Sequence, residues 1–325
     1  MIHQYISNGY HIVMDVNSGS VHVMDKSAYD TVPIVERLLE QGNEDRESIA
    51  GTVAKELAME RSEAEETVEE ILSLKEQGQL FTEDIYENYI DAFQNRETVV
   101  KALCLHIAHD CNLACKYCFA GEGEYHGRRA LMSLEVGKKA LDFLVANSGS
   151  RVNLEVDFFG GEPLMNWQVV KDLVAYGRSL EGPHHKKFRF TLTTNGVLLD
   201  DEVMEFANKE MANLVLSIDG RKEIHDLMRP HRGGQGSYDE ILPKYKKAAE
   251  SRNQMNYYVR GTYTHNNTDF AADVIHLADE GFEQISVEPV VAEKKEDYAL
   301  RMEDVPKLLA EYDRLALEYI RRKKE

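Results

Sequence analysis

From residue 101 onward, short apolar runs alternate with amphipathic stretches of helical length. The runs Lys101–Ile107, Val152–Phe159, Phe188–Thr194, Ala212–Ser217, Tyr257–Thr262 and Gln284–Val287 are predicted strands. Helices are predicted near Ser133–Ala146, Trp167–Leu180, Asp200–Asn208, Tyr238–Ser251, Asp269–Glu280 and Val305–Arg322. Apolar strands joined by helices pair in parallel through right-handed crossovers. The expected fold class is therefore α/β, a partial (β/α)6 TIM-like barrel over residues 100–325. Chemistry in such a barrel sits at the carboxyl ends of the strands.

The first 80 residues read differently. Two extended stretches, Tyr10–Asp15 and Ser20–Met24, flank a turn at Asn17-Ser18-Gly19, which is a hairpin pattern. Three amphipathic helices are expected near Asp30–Gln41, Glu47–Ala58 and Ser62–Gln77. Ser62 with Glu65 suggests a capping box for the third, and Gly78 a stop. A hairpin and three short helices are the parts of a small winged-helix (α+β) domain, assigned to 1–80. Residues 81–99 read as a connector, helical in part. An exposed strand edge in such a domain suits capture of an extended peptide.

Composition narrows the partners. The formal net charge is −19, and residues 1–96 carry 20 acidic against 7 basic side chains. Nucleic acid needs a basic face, so it is not an expected partner, and a winged helix here is not expected to bind DNA. No apolar run approaches the roughly 20 residues of a membrane span, and the N-terminus lacks a signal-peptide pattern. A reducing, cytoplasmic location is expected, with no membrane partner.

Three cysteines lie on the loop after the first barrel strand: Cys111, Cys115 and Cys118. Three thiolates at this spacing can hold three corners of a [4Fe–4S] cubane and leave the fourth iron open to a ligand. The alternative is structural zinc, with Cys104 as a fourth thiolate. Cys104 lies inside an apolar strand, where core packing is its expected role. Four clustered cysteines are too few for a disulfide framework. His106 is expected to be core-facing or satisfied locally, and His109 to border the site without ligating.

The next strands end in polar turns. Gly160-Gly161-Glu162-Pro163 follows the second, with glycines for close backbone approach and a carboxylate for an ammonium group. Thr193-Thr194-Asn195-Gly196 ends the third and Ser217-Ile218-Asp219-Gly220 the fourth. Singly, each of these could be a turn or a helix cap. Arg229 and Arg260 could each grip a carboxylate or form a surface ion pair. The glycine-rich stretch around Gly233–Gly236 reads as a mobile cover for the barrel mouth.

Together, Cys-x3-Cys-x-Tyr-Cys, Gly-Gly-Glu-Pro and Ser-Ile-Asp-Gly resemble the radical S-adenosylmethionine (SAM) superfamily, over residues 100–325. The wording of Ala102–Cys111 and Arg260–Thr264 is most similar to maturases of ribosomal peptides with six cysteines in forty-five residues, which form thioethers. Residues 1–80 resemble the winged-helix element with which such maturases hold a precursor's leader.

The resemblance implies that Cys111, Cys115 and Cys118 ligate a [4Fe–4S] cluster whose open iron is chelated by SAM. Gly160, Gly161 and Glu162 would contact the SAM amino group, Ser217 and Arg229 its carboxylate, and Asp219 its ribose. Tyr117 would lie near the adenine, with Asn195 on the ribose side and Arg260 as a second carboxylate partner. It also implies reductive cleavage of SAM to a 5′-deoxyadenosyl radical, hydrogen abstraction from a cysteine-rich precursor peptide, and sulfur-to-carbon thioether formation. An electron donor such as flavodoxin or ferredoxin would be a second partner. An anaerobic sulfatase-type maturase, or a non-catalytic iron–sulfur binding or electron-transfer protein, is the alternative. Relatives usually continue into a cysteine-rich domain with auxiliary clusters. No cysteine follows Cys118 here, so a truncated chain is the expectation.

Overall fold

The computed structural model describes residues 1–94 and 98–324, so part of the expected 81–99 connector lies outside the described residues. The chain divides into two compact units, Met1–Glu97 and Thr98–Glu325.

In the first unit, β1 (Ile2–Ser7), β2 (Tyr10–Asp15) and β3 (Val21–Met24) form an antiparallel sheet in that order. The sequence reading missed β1. Its turn is legible in retrospect, because Asn8 and Gly9 take φ of 50° and 80°, the two positive angles of a two-residue hairpin turn. Three helices follow: α1 (Lys26–Glu40), α2 (Arg46–Glu56) and α3 (Arg61–Glu76). Asp25 and Asp45 cap the first two, accepting the backbone N–H groups of Ala28 and Ser48 at 2.8 and 2.9 Å. The capping box predicted at Ser62 is absent. The helix begins at Arg61 after Glu60, which makes no side-chain cap, and Glu65 instead accepts a 2.6 Å bond from Arg61. Val13, Val32, Ile49, Val53, Val68 and Ile71 form the buried core. A short helix, α4 (Ile90–Gln94), lies in the connector.

The second unit is a sheet of six parallel strands in unbroken sequence order, the topology of a partial TIM-like barrel. They are β4 (Ala102–His109), β6 (Asn153–Gly160), β7 (Lys187–Thr194), β8 (Met211–Ser217), β9 (Tyr257–Tyr263) and β10 (Ile285–Pro289). The two-residue β5 (Ala130–Leu131), not predicted, pairs antiparallel beside β4 at one edge. The helices are α5 (Leu134–Ala146), α6 (Trp167–His184), α7 (Asp201–Glu210), α8 (Lys222–Met228), α9 (Tyr238–Ser251), α10 (Ala271–Asp279) and α11 (Val305–Lys324). Helix-facing residues such as Leu105, Ile107, Phe158, Phe190 and Leu216 form the core.

Strand alternation corrects the reading of Cys104. Leu105 and Ile107 occupy the buried positions of β4, whereas Cys104 is exposed and lies in register with Asp157 of β6. Side chains along a barrel strand alternate between the helix side and the inner face, and Cys104 falls on the inner face rather than in the core. Among the described residues, no helix is long and apolar enough to cross a membrane.

Candidate functional site

The cysteine loop leaves the carboxyl end of β4, and two elements fix it. Asp110 accepts the backbone N–H of Cys111 at 2.9 Å and a bond from Arg232 at 2.8 Å. The backbone N–H groups of Ala114 and Lys116 donate to the carbonyls of Pro230 and Met228, both at 2.9 Å, and Leu113 bridges His231 in antiparallel fashion. Residues 228–232 are thus a brace along the cysteine loop. The glycine-rich stretch that begins there is turned back by a 2.8 Å bond from the His231 N–H to the Gln235 carbonyl.

The three cysteines line one cavity of about 160 Å³, with Tyr117, Gly160, Gly161, Asn195, Ser217 and Arg229 also on its wall. Glu162, Asp219 and Arg260 are outside that lining. Burial pushes the Cys111 thiol up to about 12 and the Cys115 thiol up to about 11. Such thiols stay neutral until a metal group draws off their protons. Donors already face the sulfurs. The Leu113 N–H and the Asn195 amide each lie 3.5 Å from Cys111 Sγ, and Arg229 Nη1 lies 4.0 Å from Cys115 Sγ. Among the described residues, no three His, Cys, Asp or Glu side chains converge as ligands of a single ion. Thiols spaced around one cavity, with donors to sulfur, fit the corners of a larger iron–sulfur group.

Close backbone approach explains the two glycines. A Cβ on Gly161 would stand 1.9 Å from the Asp110 carbonyl oxygen, and one on Gly160, at φ 120°, 2.6 Å from that of Ala108. The Gly161 N–H donates to the Ala108 carbonyl at 2.7 Å and the Glu162 N–H to the Asp110 carbonyl at 2.9 Å. The carboxylate of Glu162 is fully buried and accepts from Leu164 N–H, the Thr194 hydroxyl and Asn195 N–H at 3.0, 2.8 and 2.8 Å. It ties the end of β6 to the end of β7. Burial pushes its pKa up, opposed by these donors. The Asn195 amide nitrogen reaches Asn112 Oδ1 at 2.7 Å, while its Oδ1 closes a turn onto Val197 N–H at 3.1 Å.

A second knot joins the far wall. The Tyr117 hydroxyl contacts both oxygens of Asp219, at 2.8 and 2.7 Å, and accepts from Arg229 Nη1 at 3.0 Å. Asp219 also accepts Thr262 N–H at 3.1 Å. Burial pushes this carboxyl up, opposed by the Arg229 charge and the phenol. Arg229 is 9% exposed, and its Nε has no hydrogen-bond partner although it is buried. An unspent guanidinium donor at the cavity wall fits a carboxylate ligand. Ser217 presents its side to the cavity while its carbonyl accepts the Tyr245 hydroxyl at 3.2 Å. Arg260 pairs with Glu288 and lines an adjoining cavity of about 390 Å³, which also reaches Tyr117, Ser217 and Arg229.

Sequence reasoning missed two features. His225 supports the knot: its Nδ1 accepts Asp219 N–H at 3.3 Å, its Nε2 meets Ser237 Oγ at 2.9 Å, and Ser237 donates to the Arg229 carbonyl at 2.7 Å. The other is the loop after Cys118, whose Gly123 and Tyr125 border the cavity. Two glycines and a tyrosine within the seven residues after the third cysteine were the available signal.

A sequence profile described as the Radical SAM superfamily matches residues 105–275. The chain belongs to that superfamily. A [4Fe–4S] cluster and SAM are the cofactors of radical SAM proteins and therefore of this chain. It is 24% identical over 184 residues to the radical SAM cyclopropyl synthase TigE of Paramaledivibacter caminithermalis, covering 52% of this chain and 38% of TigE. The serine-type anaerobic sulfatase-maturating enzyme of Bacteroides thetaiotaomicron is 32% identical over 141 residues, 41% of this chain and 32% of that enzyme. The solved structure of native anSMEcpe with bound AdoMet matches the fold, with TM-score 0.60 at 20% identity over 68% of this chain and 62% of that one. The chain thus spans well under two thirds of these curated relatives.

Proposed function

We propose that this chain is a radical SAM maturase of a ribosomal precursor peptide and forms thioether crosslinks from cysteine sulfur to carbon. The observation that carries this reading is the pairing of a cysteine cavity at the strand ends with a separate unit built from an open antiparallel sheet and three helices. On its own unit, β3 has β2 as its one strand neighbour among the described residues, and Val21 and Val23 on it are 58% and 66% exposed. An open edge with apolar side chains suits addition of a peptide strand. We read residues 1–80 as a winged-helix domain that holds the leader segment of a cysteine-rich precursor.

Cys111, Cys115 and Cys118 would hold the cluster, and Arg229 would grip the SAM carboxylate, with Ser217 beside it. Gly160 and Gly161 would lie against the amino group and Tyr117 and Asn195 along the nucleoside. Glu162 and Asp219 would act by holding those walls in place. The cluster and SAM, held there, would supply a carbon-centred radical by reductive cleavage of the sulfonium. The protein's own task is to orient the substrate carbon and keep water and quenchers out. A reductant such as flavodoxin or ferredoxin, and a cytoplasmic setting, complete the reading.

The test is anaerobic reconstitution followed by dithionite, SAM and candidate precursor. The expected products are 5′-deoxyadenosine and a peptide lighter by two hydrogens per thioether. Oxidation of a sulfatase peptide instead would favour the sulfatase-type reading. An intact cluster that yields no 5′-deoxyadenosine would leave a non-catalytic iron–sulfur protein. Deleting residues 1–80 should weaken precursor binding and spare SAM cleavage; unchanged peptide affinity would remove the recognition role.

A further inference from the structure

The segment after Cys118 folds back over the cysteine loop at a conformational cost. Glu122, Tyr125 and His126 all take left-handed φ, at 54°, 54° and 56°, beside Gly121 at 54° and Gly123 at 91°. Three non-glycine residues in this region cost on the order of 1 kcal/mol each or more, and such strain collects at functional sites. What the strain achieves is visible in two contacts. A Cβ on Gly123 would stand 2.9 Å from Gly161 Cα and 3.0 Å from Cys111 Cβ, so the loop lies directly on the site. Tyr125 is then set against the inner face of β4. Its ring stacks on His106 at 4.4 Å and leans on His109 at 4.8 Å, and Phe119 meets it edge-on at 5.9 Å.

The ring is therefore held on three sides, yet its hydroxyl has no partner. Tyr125 Oη is buried and makes no hydrogen bond, while the residue lines the cysteine cavity. A buried hydroxyl without a partner costs about 1–3 kcal/mol, and native proteins rarely keep one. Burial, with the Cys104 and Cys118 thiols nearby, pushes the phenol up to about 12, so it remains a donor; the rings of His106 and His109 also lie against it. Arg229 and Asn195 donate toward the other two cysteines, Cys115 and Cys111. Cys118, the third cysteine, lines the same cavity as this phenol.

We propose that Tyr125 is a positioning residue for the iron–sulfur cluster, its hydroxyl donating a hydrogen bond to sulfur on the Cys118 side. The inference rests on the reading of the three cysteines as cluster ligands. Hydrogen bonds to cluster sulfur favour the reduced, more negative state and raise the potential. The strained loop thus helps set how readily the cluster accepts the electron.

Tyr125→Phe keeps the stacked ring and removes the hydroxyl alone. In the apoprotein it relieves an unsatisfied group, so the melting temperature should hold or rise. In the reconstituted protein without SAM, an EPR-monitored redox titration should give a midpoint more negative than wild type. Tyr125→Trp, which retains a ring and an N–H donor, should recover part of that shift. A lower apoprotein melting temperature for Tyr125→Phe would show that the hydroxyl already has a protein partner, and would overturn the proposal. So would a full cluster with the wild-type midpoint. Failure of the wild type itself to bind a cluster would instead refute the cysteine assignment beneath it.

Discussion

Tyr117 and Asp219 are 102 residues apart in sequence, yet the phenol oxygen of one lies 2.7 and 2.8 Å from the two carboxylate oxygens of the other. The contact ties the cysteine loop to the end of β8 and aligns Arg229, which donates to the same phenol. Tyr117→Phe would leave a buried carboxylate with one donor fewer. The expected cost is about 1.5–3 kcal/mol, the range for a hydrogen bond to a charged group. Chemical denaturation should show it as a lower midpoint with an unchanged slope; an unchanged midpoint would mean the contact carries no energy.

Gly161→Ala should be among the most damaging small substitutions in the second unit. The added carbon meets backbone, the Asp110 carbonyl oxygen at 1.9 Å, which cannot swing aside as a side chain could. Overpacking of this kind costs about 1–3 kcal/mol or more. Iron content after reconstitution should fall with the melting temperature, because the displaced backbone leads straight into Cys111.

Much of this was legible in the sequence. The six parallel strands were found because apolar runs of strand length are separated by helical periodicity, and their order follows from short right-handed crossovers. The site loops were legible because glycine and Asx residues punctuate strand ends. The assignment of Cys104 failed because an apolar run does not tell which of its two faces meets helices and which meets the barrel interior. Glu162 reads from its residue type as an acceptor for an ammonium group, and Asp219 from the family resemblance as a ribose contact. Their engagement with Thr194, Asn195, Tyr117 and Thr262 depends on tertiary approach, which spacing cannot reveal. The strand β1 was missed because His3, Gln4 and Tyr5 dilute its alternation.

Arg229→Lys keeps the charge but loses the planar fork and the unpartnered Nε. SAM affinity should drop 10- to 100-fold, about 1.4–2.8 kcal/mol, with the cluster retained. Equilibrium dialysis with the reconstituted variant measures it, and undiminished affinity would place the carboxylate elsewhere.

His225 should make the fold acid-sensitive. Burial, with the Arg229 and Lys222 charges, holds its pKa well below the ordinary 6.5. The group is depressed in the folded state, so its contribution is present above about pH 6.5. Below that the unfolded chain takes a proton that the folded chain refuses. Stability is then lost at up to ~1.4 kcal/mol per pH unit until the folded ring titrates. His225→Asn lacks this dependence. The gap in melting temperature between wild type and variant should therefore narrow as pH falls from neutral toward 5; a constant gap would show that the ring is not held neutral.

The central claim is that Cys111, Cys115 and Cys118 hold a cluster with one iron open to SAM. The most direct measurement is pulsed EPR of the dithionite-reduced, reconstituted protein with SAM labelled at its amino nitrogen and carboxylate oxygen. The account predicts hyperfine coupling from both labels to the cluster, lost when Cys115 is replaced by Ala. A cluster signal indifferent to labelled SAM, or one that survives Cys115→Ala, would contradict it.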